Sequence, residues 1–190
     1  MREIDQYFFK NHVEWRNWLH ENHNVVNGVY LIFYKVDHEN DSMRWEEAVQ
    51  VALCYGWIDS KVKSLGEGKR QQYFCPRKPK SNWSKLNKSY VKKLIEKGLM
   101  HESGLAKINT AKIDGSWNAL DEVEEGILPL DLQKAFEKNI KAFNNYQNFT
   151  FSQRKSYLFW LNHAKRKETR QKRIKEIIRL CAANMKQRTN

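Results

Sequence analysis

Cysteine and proline are scarce in this 190-residue chain, at three each, and glycine is limited to 8. The cysteines (Cys54, Cys75 and Cys181) are odd in number and far apart. That argues against a disulfide framework and suits reduced thiols. No apolar run approaches the roughly 20 residues a membrane-spanning helix needs. The opening Met1-Arg2-Glu3-Ile4-Asp5 has two acids, and no apolar stretch of a secretion signal follows it. The expectation is a cytoplasmic protein without a transmembrane segment. The sequons Asn82-Trp83-Ser84 and Asn148-Phe149-Thr150 then carry no meaning.

Several chemistries lack their pattern. Gly66 and Gly68 have neither the following helix nor the Lys-Ser/Thr ending of a phosphate loop. Six scattered histidines define no Ser-His-Asp order. His20-x-x-His23 has no Cys or acid at a supporting spacing, so helix-end surface histidines are expected and no metal. Ser60-x-x-Lys63 matches an acyl-enzyme motif in letters only, because Ser60 lies in a strand pattern rather than at a helix start. No internal repeat or low-complexity tract is present. No cofactor is expected.

What the chain does have is aromatic mass and positive charge. It is 41% hydrophobic and 13% aromatic, enough to build a core, and its seven tryptophans should line a core or a pocket. One domain, or one with a small helical extension, fits the length. The net charge of +12 is clustered, with residues 60–100 and residues 150–190 each holding 12 Lys/Arg against 2 acids. Basic blocks of this kind suit an anionic partner, or serve as a solvated surface.

Along the chain, Asn11 caps a helix with Trp15, Trp18 and Leu19 on one face. After Asn27-Gly28, the run Val29 to Tyr34 reads as a strand buried on both faces. Asp37 to Asp41 is a polar loop. Ser42 is the expected cap of a helix with Ala48, Val49, Ala52 and Leu53 buried, ended by Gly56. Strands follow at Trp57 to Lys63 and Gln71 to Cys75, joined through Gly66-Glu67-Gly68. Pro76 and Pro79 stiffen a loop that leads to Ser81 or Ser84 as the cap of a helix ending at Gly98. A helix over 102–113 is closed by Asp114-Gly115. Helical patterns then cover Asp131 to about Lys141, Ser152 to about Ala164, and Lys167 to about Cys181. The fold expected is α+β: a small three-stranded antiparallel sheet flanked by helices (1–115), an acidic connection (116–130), and an all-helical C-terminal unit (131–190).

Two blocks resemble a known family. The first runs from Trp45-Glu46-Glu47-Ala48-Val49 through Cys54-Tyr55-Gly56-Trp57-Ile58-Asp59-Ser60 to Pro76-Arg77-Lys78-Pro79-Lys80-Ser81-Asn82-Trp83-Ser84-Lys85-Leu86-Asn87. The second joins Tyr157-Leu158-Phe159-Trp160-Leu161-Asn162-His163-Ala164-Lys165 to Glu168-Thr169-Arg170 and Lys172-Arg173-Ile174. Together they resemble the YdeI/OmpD-associated, or bacteriocin-protection, family. The resemblance implies tolerance of bacteriocins or antimicrobial peptides and supplies no reaction or cofactor.

Trp57, Asp59, Ser60, Arg77, Lys78, Trp83 and Asn87 form the candidate site. The hairpin should bring Asp59 and Arg77 together. Arg77 offers a planar fork for a carboxylate or phosphate, Lys78 a point charge, and Trp57 and Trp83 could wall a flat ligand or stack on a guanidinium. Helix N–H groups after Ser84 would add to an anion site. The structural alternative is that Asp59 pairs with Arg77 and the tryptophans are core. Cys75, beside Arg77 and Lys78, is a candidate reactive thiol, and Cys54 an inert one. The function expected is non-catalytic binding of an anionic small molecule or phosphate group. The alternatives are a small enzyme on a phosphorylated or carboxylated substrate, with Asp59 as acid/base, and non-specific nucleic-acid binding by the basic C-terminal helices. Those helices lack the spacing of any base-reading motif.

Overall fold

Val29, Leu31 and Phe33 point to one side of the central strand and Ile32 to the other, and all four are buried. This is why an unbroken β-branched and aromatic run forms there. The strand belongs to a computed structural model that describes residues 4–40 and 42–188. Met1 to Glu3, which carry part of the N-terminal reading, and Asp41, the end of the polar loop, lie outside the described residues. The chain divides into two units, Met1–Asn118 and Ala119–Asn190.

In the first unit the order is β1 (Gln6–Phe8), α1 (His12–Asn22), β2 (Val29–Tyr34), α2 (Trp45–Cys54), β3 (Trp57–Gly66), β4 (Lys69–Pro76), α3 (Lys85–Glu96) and α4 (Glu102–Ile113). The α+β class holds, but among the described residues the sheet has four strands in the order β1-β2-β4-β3. The expected three-stranded antiparallel sheet needs correction on both counts. β1 is an added strand and runs parallel to β2, with Tyr7 beside Leu31. Three residues are too few to show a strand period, and β1 exists because β2 offers it a free edge. The other pairs are antiparallel: β2 to β4, and β4 to β3, with Asp59 beside Phe74 and a register shift between Asp59 and Val62.

The caps are mostly those the sequence announces. Asn11 accepts from Val13 N and Glu14 N, and Ser84 from Asn87 N. Ser42 does not cap α2. Its hydroxyl accepts from Tyr34 N at 3.1 Å, and α2 begins after Arg44, whose N–H donates to Glu47 at 2.8 Å. Helix α2 is central, packing on α1, α3, α4 and β3. Its last carbonyls are bonded by the start of α4: Cys54 O accepts from His101 N at 3.1 Å, and Tyr55 O from Ser103 Oγ at 3.1 Å. Gly104 makes this possible, since a Cβ there would lie 2.2 Å from Cys54 O.

The second unit holds α5 (Asp121–Glu125), α6 (Leu130–Glu137), α7 (Ile140–Gln147), α8 (Phe151–Asn162) and α9 (Lys167–Ala182). The single helix expected from Asp131 is two, divided where Asn139 Oδ1 accepts from Ala142 N at 3.1 Å. Leu132, Phe136, Tyr146, Tyr157, Leu161 and Ile177 centre its core. Asp131 accepts two hydrogen bonds from Arg170, joining α6 to α9. No described helix is long and apolar enough to cross a membrane.

Candidate functional site

The site begins where β4 stops. Arg77 N donates to Gly56 O at 2.9 Å, which fixes the loop after Pro76 to the turn that follows α2. Lys80 takes a left-handed backbone (φ 59°), unusual for a residue with a Cβ. Its N–H is held by the Asp114 carboxylate at 2.9 Å. The loop is thus tied at one end to α2 and at the other to the end of α4.

Within this frame Arg77 turns inward and is only 3% exposed. Its guanidinium carbon lies 3.7 Å from the centre of the buried Trp83 ring. Trp83 packs in turn on Trp117 at 4.9 Å, and Lys88 and Lys112 lie over Trp117. Nη1 donates to Asn82 O at 2.9 Å and to Ser81 Oγ at 3.3 Å. Nε and Nη2 have no partner. Burial pulls the guanidinium down to about 10, against a smaller upward pull from Asp59.

Arg77 also lines a cavity of about 70 Å³, walled by the loop on one side and by α4 and the turn after it on the other. Arg77, Lys78 and Lys80 line it with Lys107, Thr110, Asp114 and Ser116. Ser116 is buried, and its hydroxyl also lacks a hydrogen-bond partner, although it lies near enough to Asp114 to favour that carboxylate's ionised form. Two larger hollows exist, about 960 Å³ between the outer hairpin and the segment after β2, and about 330 Å³ between α1, α2 and α3. Neither is lined by an unpartnered buried polar atom. Among the described residues such atoms are Arg77 Nε and Nη2, Ser116 Oγ and, in the second unit, the Tyr146 hydroxyl.

The candidate residues divide between several places. Arg77, Lys78 and Trp83 meet at the cavity, and Trp83 is the one that stacks on a guanidinium. Trp57 is in the core, with Nε1 donating to His23 O at 3.1 Å. Asp59 shares the inner face of the sheet, where its Oδ2 accepts from Trp45 Nε1 at 3.0 Å and from Gln72 Nε2. It makes no ion pair with Arg77. Ser60 is exposed, on the strand's opposite face by the period of two. Asn87 lies in the first turn of α3, where its N–H serves the Ser84 cap. At Cys75 burial outweighs Lys78 and Arg77 and pushes the thiol up, away from the thiolate character a reactive cysteine needs. His23 and His20 lie beside His101, whose ring stacks on Tyr55 at 4.9 Å. No metal-holding group of side chains occurs among the described residues.

Comparison with known proteins gives two matches along the chain. Residues 7–107 match the model of a domain of unknown function (DUF8412), a span that contains the Trp45 to Asn87 block. Residues 125–184 match the family described as bacteriocin-protection, YdeI or OmpD-associated, which contains the Tyr157 to Ile174 block. No curated protein and no solved structure matches. The chain therefore belongs to the DUF8412 family of unknown function, whose model covers more than half its length, and residues 125–184 are similar to the family described as bacteriocin-protection, YdeI or OmpD-associated.

Proposed function

We propose that this is a cytoplasmic, non-catalytic protein that binds a small oxyanion, or the phosphate or carboxylate head of a small molecule, in the Arg77 cavity. The observation that carries the reading is the pair of unpartnered donors, Nε and Nη2, on an arginine that is 3% exposed. A buried cation without a counter-charge costs several kcal/mol. Stacking on Trp83 recovers only about 2 kcal/mol. An oxyanion spanning Nε and Nη2 supplies both missing hydrogen bonds in the planar geometry a guanidinium prefers. Lys78, Lys80 and Lys107 draw it in, and Ser116 offers a hydroxyl. The volume of about 70 Å³ suits a phosphoryl or carboxylate head, with the rest of any larger molecule outside the cavity. Asp59 is not part of this lining, so the reading assigns it no chemistry. The description of the family matched by residues 125–184, bacteriocin-protection, supports a protective role as part of this reading.

Arg77→Met tests the site, because methionine fills similar space without charge or donors. In the parent, phosphate added at constant ionic strength should raise the melting temperature by binding the native state alone. In Arg77→Met the rise should vanish. Equal rises in both proteins would mean the ion acts on general positive charge and would remove the site.

A further inference from the structure

The cavity lining contains one acid among four cations. Asp114 follows α4 at the cavity mouth, where a carboxylate works against any incoming anion. Its Oδ1 accepts from Ser116 N and its Oδ2 from Lys80 N, each at 2.9 Å. A carboxylate has about four lone-pair positions. Each oxygen therefore keeps a position free after those two bonds. The nearby Ser116 hydroxyl first, and then these two bonds, hold its pKa below the usual carboxylate range, so it stays an acceptor and offers no proton of its own. The remaining polar side chains of the lining are cations or hydroxyls: Arg77, Lys78, Lys80, Lys107, Ser81, Ser116, and Thr110, whose hydroxyl donates to Ala106 O at 3.0 Å.

A fully ionised oxyanion beside Asp114 faces repulsion with no hydrogen bond in return. An oxyanion that retains a proton can donate it to Asp114 and place its bare oxygens on Arg77. We infer that Asp114 makes the cavity selective for oxyanions that keep a proton near neutral pH, the phosphate class, over those that do not, the sulfate class. This rests on the anion-binding reading of the Arg77 cavity and adds the substrate class to it.

Four inorganic anions separate proton from size. At mildly alkaline pH, phosphate, arsenate, sulfate and selenate all carry two negative charges. Only the first two retain a proton, and arsenate and selenate are the larger of their pairs. Dissociation constants should be measured by calorimetry on the full chain at constant ionic strength. Phosphate and arsenate should bind at least about tenfold tighter than sulfate and selenate, the effect of one hydrogen bond to a charged group. Asp114→Asn should collapse that preference, since its amide can donate to a bare oxygen. Equal binding of all four by the parent overturns the selectivity and leaves anion binding intact. Ordering by size overturns the selectivity as well. Failure of all four to bind overturns both. The parent series decides the matter alone if Asp114→Asn does not fold.

Discussion

Arg77 is a cation placed where water is largely excluded, with one nitrogen bonded and two free. Side chains kept for stability are satisfied by their own fold, and this one is not. That sets the sign of a stability experiment. Replacing a poorly compensated buried charge with an apolar side chain of similar volume is commonly neutral or stabilising, while breaking a well-paired one costs about 3–5 kcal/mol. Without anion, Arg77→Met should therefore unfold within about 1 kcal/mol of the parent or above it by urea titration. With saturating phosphate the parent should overtake it. A loss in the 3–5 kcal/mol range without anion would make Arg77 a structural staple of the Ser81 and Asn82 turn. Function at the expense of stability is the usual pattern for binding groups.

Helix α4 forms the far wall of the cavity, and two of its features make it testable as an element. Gly104 lets its backbone reach the end of α2, and a Cβ would lie 2.2 Å from Cys54 O. Gly104→Ala gains roughly 1 kcal/mol of helix propensity but forces backbone apart, a strain of about 1–3 kcal/mol. It should lower stability and also weaken phosphate binding several-fold, because Lys107 and Thr110 move with the helix. Unchanged affinity would detach α4 from the site. The second feature is the helix cap. His101 Nδ1 accepts from Ser103 N at 3.2 Å, which requires a neutral ring. Tyr55 stacks on that ring, and His23, His20, Arg16 and Glu102 also face it. Burial first, then His23 and His20, lower its pKa from the ordinary 6.5. The unfolded chain thus takes up the proton first, and stability is lost as pH falls below 6.5 toward the depressed value. His101→Asn keeps an acceptor and cannot titrate, so its urea midpoint should fall less than the parent's between about pH 7 and 5. Equal slopes would show that the cap does not carry the effect. The same helix shows where sequence reading stops. Its limits, 102–113, are legible from periodicity and Asp114-Gly115, and Arg77, Lys78 and Trp83 stand out as a proline-stiffened cationic loop. Lys107, Thr110, Asp114 and Ser116 do not, because they reach the loop only through the docking of α4 on Cys54 O and Tyr55 O, about 50 residues upstream. β1 is hidden for the related reason that three residues depend on a partner strand for their conformation.

At the scale of the whole molecule the dominant fact is a net charge of +12, concentrated in residues 60–100 and 150–190. The two clusters differ in kind. In the first, Lys78 and Lys80 converge with Arg77 on one cavity. In the second, Arg170 is engaged by Asp131, Arg179 by Glu176, and Arg173 by the carbonyl and ring of Trp160. Charge of the second kind contributes to the field around the protein, which salt screens within about 10 Å at 0.1 M. Charge at the cavity acts at contact distance in a partly excluded space and is screened much less. A comparison of variants that remove different numbers of charges separates the two. Lys172→Ala with Arg173→Ala removes two positive charges, and Arg77→Met removes one. If phosphate stabilises the protein by loading the cavity, the double variant should keep the parent's rise in melting temperature at 0.1–0.2 M chloride, and the single variant should lose it. If the rise instead follows the number of charges removed, the double variant should lose more, and the basic surface rather than the Arg77 cavity would be what the anion recognises.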